Sequence, residues 1–342
     1  MKIAFTICTN NYISLGRALG RSLQRSGNDF HFVIGLADKW NDELNDYYKD
    51  FEVIPCTQAG APDLEEMSQR YTIVELSCAL KPVFHKHLLE KYPDAEYVTY
   101  LDSDLFAYGP MHELDEVHKQ YDIILTPHIL QPQPFDGKHP NEIAYLATGT
   151  FNAGFLSLKR SDNTLRMLDW WAERVRYYGF YDFKRGLFVD QKWLNLVPVF
   201  FDSTTVLRHY GYNVAYWNMH ERTISNENGR WMINKTFPLI FMHYSSVNLK
   251  EGILFFKQQN RYTDQDQPLY KQLFMEYRDL VYQDGYEYTS RFECYYAKRY
   301  QEHQTQKLKK SLKGRIKLFL RKNISAARRE SLKRKLKSLT GD

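Results

Sequence analysis

Long apolar runs are missing from this chain. No stretch approaches the roughly 20 apolar residues that span a bilayer, and Met1-Lys2 leads into only six mostly apolar residues before Thr9-Asn10-Asn11. Six is too few for the apolar part of a secretory signal, so a cytoplasmic protein is expected. Cysteine is scarce as well. Cys8, Cys56, Cys78 and Cys294 are scattered, with neither metal-type spacing nor a tight disulfide pattern, and a reducing compartment is the simpler reading. No Gly-x-Gly-x-x-Gly run follows the first strand-like segment, which excludes the dinucleotide fingerprint.

What the chain has, at 342 residues, is enough length for one large domain or two smaller ones with ample core. Its charged and apolar fractions are ordinary for a globular protein, but 26 Tyr and 21 Phe make it unusually aromatic. Most of these rings are assigned to core, and any at the surface suit stacking on sugars or bases. The net charge of +5 conceals an asymmetry. Residues 304–342 hold 14 Lys and Arg against Glu330 and Asp342, a net of +12, which leaves −7 on residues 1–303. In this basic segment Leu308, Leu312, Ile316 and Phe319/Leu320 recur at helical spacing with cations between them. The pattern suits a helix lying on an anionic membrane surface. A nucleic-acid arm or a solvated extension has the same charge, but no aromatic interleaving favours stacking on bases, and no nucleic-acid partner is expected.

Residues 2–8, 30–36 and 51–54 read as strands, with a helix running from Tyr12 to about Ser26. This rhythm predicts an α/β fold of Rossmann-like type, a mostly parallel central sheet flanked by helices, with a helical C-terminal extension. Residues 64–92 have a helical pattern, with a break expected at Leu80-Lys81-Pro82 because proline cannot donate into a helix interior. Lys81 then lies near a helix start, where a cation could approach a phosphate; the ordinary alternative is a solvated lysine. Residues 110–119 predict a short helix, 121–126 a strand, and 127–147 a long loop without periodicity. Strands are expected at 148–158, 197–201, 212–218 and 237–242, a helix at 161–178 with Trp170 and Trp171 in the core, and helical structure across 251–300.

The most informative stretch is Tyr97-Val98-Thr99-Tyr100-Leu101-Asp102-Ser103-Asp104. It reads as a buried strand that runs into two carboxylates one residue apart. In open α/β sheets ligands bind beyond the carboxyl ends of the strands, so Asp102 and Asp104, with Ser103 between them, stand where chemistry is expected. Mg²⁺ and Mn²⁺ prefer oxygen ligands and take one or two protein carboxylates, leaving room for phosphate oxygens. His243, at the end of the last apolar strand, could complete such a shell. Small residues at Ala153 and Gly154 let a backbone come close to a ligand. In Thr9-Asn10-Asn11-Tyr12 amides can read a base edge and Tyr12 can stack on its face, although a helix cap at Asn10 or Asn11 is the plainer reading.

Taken in order, Thr-Asn-Asn-Tyr, Tyr-Leu-Asp-Ser-Asp, Phe-Asn-Ala-Gly-Phe, Val-Asp-Gln-Lys-Trp-Leu-Asn, Tyr-Asn-Val-Ala-Tyr-Trp-Asn and Met-His-Tyr-Ser resemble the motifs of GT-A fold glycosyltransferases. The nearest likeness is to the bacterial enzymes similar to family 8, which are retaining and use nucleotide sugars. The likeness covers residues 1–262, leaving 263–303 as a helical extension and 304–342 as the basic tail. It implies that Asp102, Asp104 and His243 bind Mn²⁺ or Mg²⁺ and that Asn11 and Tyr12, with Thr9 beside them, hold the base of a nucleotide-sugar donor. Asp38 would then contact the nucleoside, Asn152, Ala153 and Gly154 would line the donor sugar, and Asp190 and Gln191 would sit at its reacting carbon as the catalytic pair. Lys257 and Arg261 would meet the departing diphosphate, with Lys81 and Ser103 also on the donor side.

The sequence departs from that pattern in three places. Thr9 stands where an acid is common, Lys192 replaces the second acid of the usual Asp-Gln-Asp, and the Gly-x-x-Lys-Pro-Trp run after the histidine is missing, which leaves Lys250, Lys257 and Arg261 as available cations. The expected activity is hexosyl transfer from a UDP-sugar or another nucleotide sugar to a cell-surface glycan or lipid-linked acceptor, on the inner face of the membrane through residues 304–342. A nucleotidyltransferase would need a Gly-rich phosphate loop after the first strand, which Thr9-Asn10-Asn11-Tyr12 does not supply. A sugar- or nucleotide-binding scaffold tethered by its tail is the non-enzymatic alternative, against which the complete Asp102, Asp104 and His243 set argues.

Overall fold

A computed structural model of the chain describes residues 1–255 and 257–310; the expected membrane-surface helix falls mostly on 311–342, outside the described residues. The chain opens with β1 (Lys2–Cys8), α1 (Ile13–Arg25), β2 (His31–Leu36), β3 (Glu52–Pro55), α2 (Leu64–Arg70) and α3 (Ile73–Lys91). It continues with β4 (Tyr97–Leu101), β5 (Leu105–Ala107), α4 (Glu113–Val117), β6 (Ile123–Pro127), α5 (Glu142–Thr148), β7 (Phe151–Lys159) and α6 (Asp162–Tyr178). Then come the short elements β8 (Tyr181–Asp182), β9 (Leu187–Phe188), α7 (Val197–Phe200), β10 (Thr204–Val206), β11 (Ile224–Glu227), β12 (Arg230–Ile233), β13 (Phe237–Pro238) and β14 (Phe241–His243). Three helices close the described chain: α8 (Pro268–Gln283), α9 (Tyr286–Thr289) and α10 (Tyr295–Lys310).

Seven strands form the central sheet in the order β10-β6-β7-β4-β1-β2-β3. Within it β7 runs antiparallel to both of its neighbours and the other strands run parallel, so the expected mostly parallel α/β sheet is observed. Strands buried on both faces need cover on both. On one face Ile3, Phe5 and Ile7 of β1 pack with Leu76, Leu80 and Phe84 of α3 and with Trp171 of α6. On the other, Ala4 and Cys8 pack with Leu19 and Leu23 of α1. Helix α8 joins the core rather than standing apart: Leu273, Phe274 and Tyr277 share a buried cluster with Leu15 and Ala18 of α1.

Several local expectations are corrected. Helix α3 runs through Pro82 without a break; the break lies at Tyr71-Thr72, where Thr72 and Glu75 form a reciprocal capping box that starts a new helix. Burial of Leu76, Leu80, Phe84 and Leu88 along this helix outweighs the missing donor at Pro82. Residues 197–200 are helical, because Pro198 fits the first turn of a helix and not a central strand. Residues 212–218 form turns: Asn213 has φ 55°, and the Asn218 side chain accepts from the amide of Ala215 and donates to the carbonyl of Asn213. Part of the expected 127–147 loop is α5, whose only buried residue is Tyr145, too little burial to leave a periodic signature. Helical structure begins at Pro268 rather than 251, since side chains of Asp264 and Gln259 take the amides of Leu254, Phe255, Arg261 and Tyr262.

Candidate active site

Beyond the carboxyl ends of β1 and β4 lies a cavity of about 800 Å³. Strand β4 brings Asp102 to its wall, and the backbone turns at once: the amide of Asp102 donates to the carbonyl of Gly154 at 2.9 Å and that of Leu105 to the carbonyl of Asp102 at 3.0 Å. The returning segment is β5, which pairs with β14 in a register that sets Leu105 opposite His243. Three residues far apart in sequence are thereby brought together. One ligand atom from each of Asp102, Asp104 and His243 lies within 4.8 Å of the others, and His243 Nε2 is 3.2 Å from Asp104 Oδ1 and 3.8 Å from Asp102 Oδ2.

The imidazole is oriented from behind. Asn213 donates its amide to the carbonyl of Pro127, so its Oδ1 faces His243 Nδ1 at 3.1 Å and accepts that ring proton. Nε2 then points at the carboxylates, the arrangement a metal-binding histidine uses. Burial opposes charge on this ring, but Asp104 and Asp102 outweigh it and raise the His243 pKa; burial likewise pushes Asp104 up, and His243 outweighs it and brings Asp104 down. Gly154 keeps the centre of the cluster open. A Cβ there would stand 2.6 Å from His243 Cε1 and 2.7 Å from both Asp102 Oδ2 and Asn152 Oδ1. Two carboxylates and an imidazole that bring one ligand atom each within 4.8 Å of the others fit a hard divalent cation.

Lys81 does not stand at a helix start, and the alternative of a solvated side chain is not observed. Because α3 is continuous, Lys81 points inward and is buried, with Nζ 3.1 Å from Asp190 Oδ2, 3.3 Å from Asp102 Oδ1 and 3.0 Å from the carbonyl of Ala153. Burial opposes its charge, and the two carboxylates outweigh that and hold its pKa well above the usual value. Asp190 is buried too; burial, with Asp102 nearby, pushes its pKa up against the pull of Lys81. Its neighbour Gln191 is held at both ends of its amide: Oε1 accepts from the amide of Ala153 at 3.2 Å and Nε2 donates to the carbonyl of Thr148 at 3.2 Å. Asn152 accepts from the amide of Gly154 and donates to His128 Nε2.

Of the residues singled out in the sequence, Thr9, Tyr12, Lys81, Asp102, Ser103, Asp104, Asn152, Ala153, Gly154, Asp190, Gln191 and His243 all line this one cavity. Asn11 lies beside it and accepts the Thr9 hydroxyl at 2.7 Å. Asp38, Lys257 and Arg261 are not among the lining residues, although Pro140, whose carbonyl Arg261 holds, and Gln258, next to Lys257, are. The buried Asp38 carboxylate accepts the amides of Asn10, Lys39 and Tyr295, joining the end of β2 to the start of α10. Arg261 pairs with Asp136 at 2.7 Å and donates to the carbonyl of Pro140, anchoring the 134–140 loop, while Lys257 is exposed on the surface.

Residues that sequence reasoning did not find also shape the site. Tyr100 donates to Asp102 Oδ1 at 2.5 Å. His128 donates from Nδ1 to the carbonyl of Thr150, and burial pushes its pKa down to about 4, which leaves Nε2 free of a proton to accept from Asn152. Trp217 packs edge-on against His243 with ring centres 5.0 Å apart. Tyr100 was visible only as a strand residue, and nothing in the linear pattern marks His128.

No protein-family model matches the chain. Among curated relatives it is similar to two proteins of Bacillus subtilis (strain 168) described as uncharacterized. YfnF is 27% identical over 273 residues, covering 79% of this chain and 89% of that protein, and YfnD is 26% identical over 248 residues, covering 71% and 77%. Among solved structures, the galactosyltransferase LgtC in complex with donor and acceptor sugar analogues is 14% identical with a TM-score of 0.47, covering 82% of this chain and 95% of that one. The glycosyltransferase GlyE of Streptococcus pneumoniae TIGR4 is 13% identical with a TM-score of 0.44, covering 86% and 66%. No described helix is long and apolar enough to cross a membrane.

Proposed function

We propose that this chain is a metal-dependent glycosyltransferase that moves a sugar, with retention, from a nucleotide sugar such as a UDP-sugar to a cell-surface glycan or lipid-linked acceptor. The observation that carries the reading is the meeting of Asp102, Asp104 and His243 around the opening at Gly154, on the wall of a cavity that the Lys81–Asp190 pair shares. Its volume suits a ligand of nucleotide-sugar size. Asp102, Asp104 and His243 would hold Mn²⁺ or Mg²⁺, which when bound would supply positive charge against a diphosphate.

The chain's own residues do the rest. Tyr12 and Thr9 on the cavity wall would take the base, and the Asn152-Ala153-Gly154 backbone would border the sugar. Asp190 and the Gln191 carbonyl present oxygen to the positive charge that develops at the sugar carbon. Gln191 is pre-oriented by its two backbone contacts, so it needs no reorganisation as that charge forms. Among the described residues the cavity carries no carboxylates beyond Asp102, Asp104 and Asp190. With two of these at the metal and the third buried against Lys81, a double displacement lacks its second acid. The acceptor hydroxyl therefore attacks from the leaving-group side and passes its proton to the departing phosphate. The basic segment 304–342 holds the protein to anionic lipid on the cytoplasmic face.

The test is incubation with a panel of nucleotide sugars and Mn²⁺. Nucleoside diphosphate release from at least one donor, abolished by chelator, is expected; no release from any donor, with acceptor or water, sinks the reading. Calorimetry with UDP separates an enzyme from a scaffold, because binding that ignores Mn²⁺ would favour the scaffold.

A further inference from the structure

The mouth of the cavity is framed by short elements that present apolar side chains outward. On α5, Ala144 and Thr148 face the cavity, while Ile143 and Leu146 on the other side of the helix are 72% and 73% exposed. The β8–β9 hairpin brings Phe183 to the lip, and Val199 of α7 is 74% exposed. These pieces adjoin one another. A Cβ on Gly149, at the end of α5, would touch Lys192 Cα at 3.3 Å, and Lys192 Nζ is 4.0 Å from where a Cβ on Gly186, in the hairpin turn, would stand. The amide of Thr150 donates to Asn195 in the turn that leads into α7. Lys184 on the hairpin and Lys192 beside it add positive charge to the same rim, where Arg185 is paired with Asp182 at 2.7 Å.

We infer that this rim seats on an anionic lipid bilayer, so that the cavity opens toward the membrane surface. The acceptor class that follows, resting on the glycosyl-transfer reading above, is a sugar carried by a lipid anchored in that bilayer. Three observations favour lipid over a folded partner. The apolar residues sit on elements that border an opening substrate must enter, which a folded partner docked on them would crowd and a fluid surface need not. Cations are interspersed with them, the combination that places apolar groups at the acyl boundary and charge at lipid phosphates. The last described helix, whose end is basic, also runs close to the base of this hairpin. Helix α10 lies on α2, with His303 Nδ1 2.9 Å from the carbonyl of Gln69, and Tyr71, next to α2, packs at 4.8 Å on Phe180 at the base of the hairpin. The segment beyond Gln304 carries the net +12.

The full chain is to be sedimented with vesicles of phosphatidylcholine containing phosphatidylglycerol. Ile143→Asp combined with Leu146→Asp should lower partitioning about tenfold; unchanged partitioning overturns the inference. Because the tail also binds lipid in the proposed function, a second readout addresses orientation. Tryptophan emission is compared for Leu146→Trp and for Asp94→Trp, the latter in the turn before β4 at the opposite end of the sheet. Brominated lipid should quench the first and spare the second, and equal quenching, or none at position 146, overturns the inference. A dimer in sedimentation velocity that the double aspartate variant dissolves would assign the patch to a second copy and overturn it too. Donor hydrolysis without vesicles, expected to be unchanged in the double variant, reports on the glycosyl-transfer reading separately.

Discussion

The floor and the rim of the cavity are built on different principles. On the floor nearly every polar atom has a fixed partner from a distant segment: Asp102 is held by Tyr100, His243 by Asn213, Gln191 by Ala153 and Thr148, and Lys81 by two carboxylates and a carbonyl. The rim consists of elements of two to seven residues, and the hairpin is tied at its base, where the amide of Tyr181 donates to Glu75 and that of Val189 to the carbonyl of Phe180. Charges on a floor of this kind act strongly, because their partners already hold them in orientation. On the rim Ile143, Leu146, Phe183 and Val199 stay exposed to whatever surface approaches.

Substitutions can break that contrast. The largest effect is expected for Asp104→Ala, which removes a floor carboxylate and should lower Mn²⁺-dependent nucleoside diphosphate release by about 10³-fold; turnover close to wild type would remove the metal assignment. Lys81→Met leaves Asp190 and Asp102 facing each other without their buried counter-charge. It should destabilise the fold by about 3–5 kcal/mol, read by urea unfolding, and a loss below about 1 kcal/mol would mean that the pair is solvated. Gly154→Ala drives a methyl into the cluster and should cost about 1–3 kcal/mol while weakening Mn²⁺ binding by calorimetry. A variant that keeps full metal affinity would show that the opening is looser than its distances imply.

Phe183→Ala sharpens the other side of the comparison. Removing a half-exposed ring from the rim should change unfolding free energy by no more than about 0.5 kcal/mol, and a larger loss would make the hairpin part of the core. A smaller effect away from both regions is expected at Glu52. Burial pushes its carboxyl up, but Lys91, Tyr92 and His31 outweigh that and bring it from 4.5 down to about 2. A depressed carboxylate contributes stability above its unfolded pKa and loses it as pH falls through the folded one. Wild-type stability should therefore decline between pH 4.5 and 2, and Glu52→Gln should flatten part of that decline in acid unfolding curves.

Much of the floor was legible in the linear chain because its residues sit at strand ends, where an apolar run breaks into polar residues. Asp102-Ser103-Asp104 after β4 and His243 ending β14 are of this kind, and the helices α1 and α6 were readable from their apolar spacing. Short elements were not readable. Helix α5 and the turns at 212–218 take their shape from side chains such as Tyr145, Asn213 and Asn218 that bond across the fold, and no local period records such bonds. Lys81 was misplaced for a related reason: a proline suggested a helix break that buried packing along α3 overrode.

By itself, then, the sequence determined the parallel α/β class, the metal-type carboxylates and the charge contrast between body and tail, because each is written in neighbouring residues and needs no partner to be seen. The tertiary structure alone decided that His243 faces Asp104, that Lys81 joins Asp102 to Asp190, that Asp38 ties β2 to α10 and that Arg261 holds the 134–140 loop. Each of these depends on which segments meet in space. That is fixed by strand order and register, here the pairing of β5 with β14 and the passage of α3 across the sheet, and no window along the chain contains it.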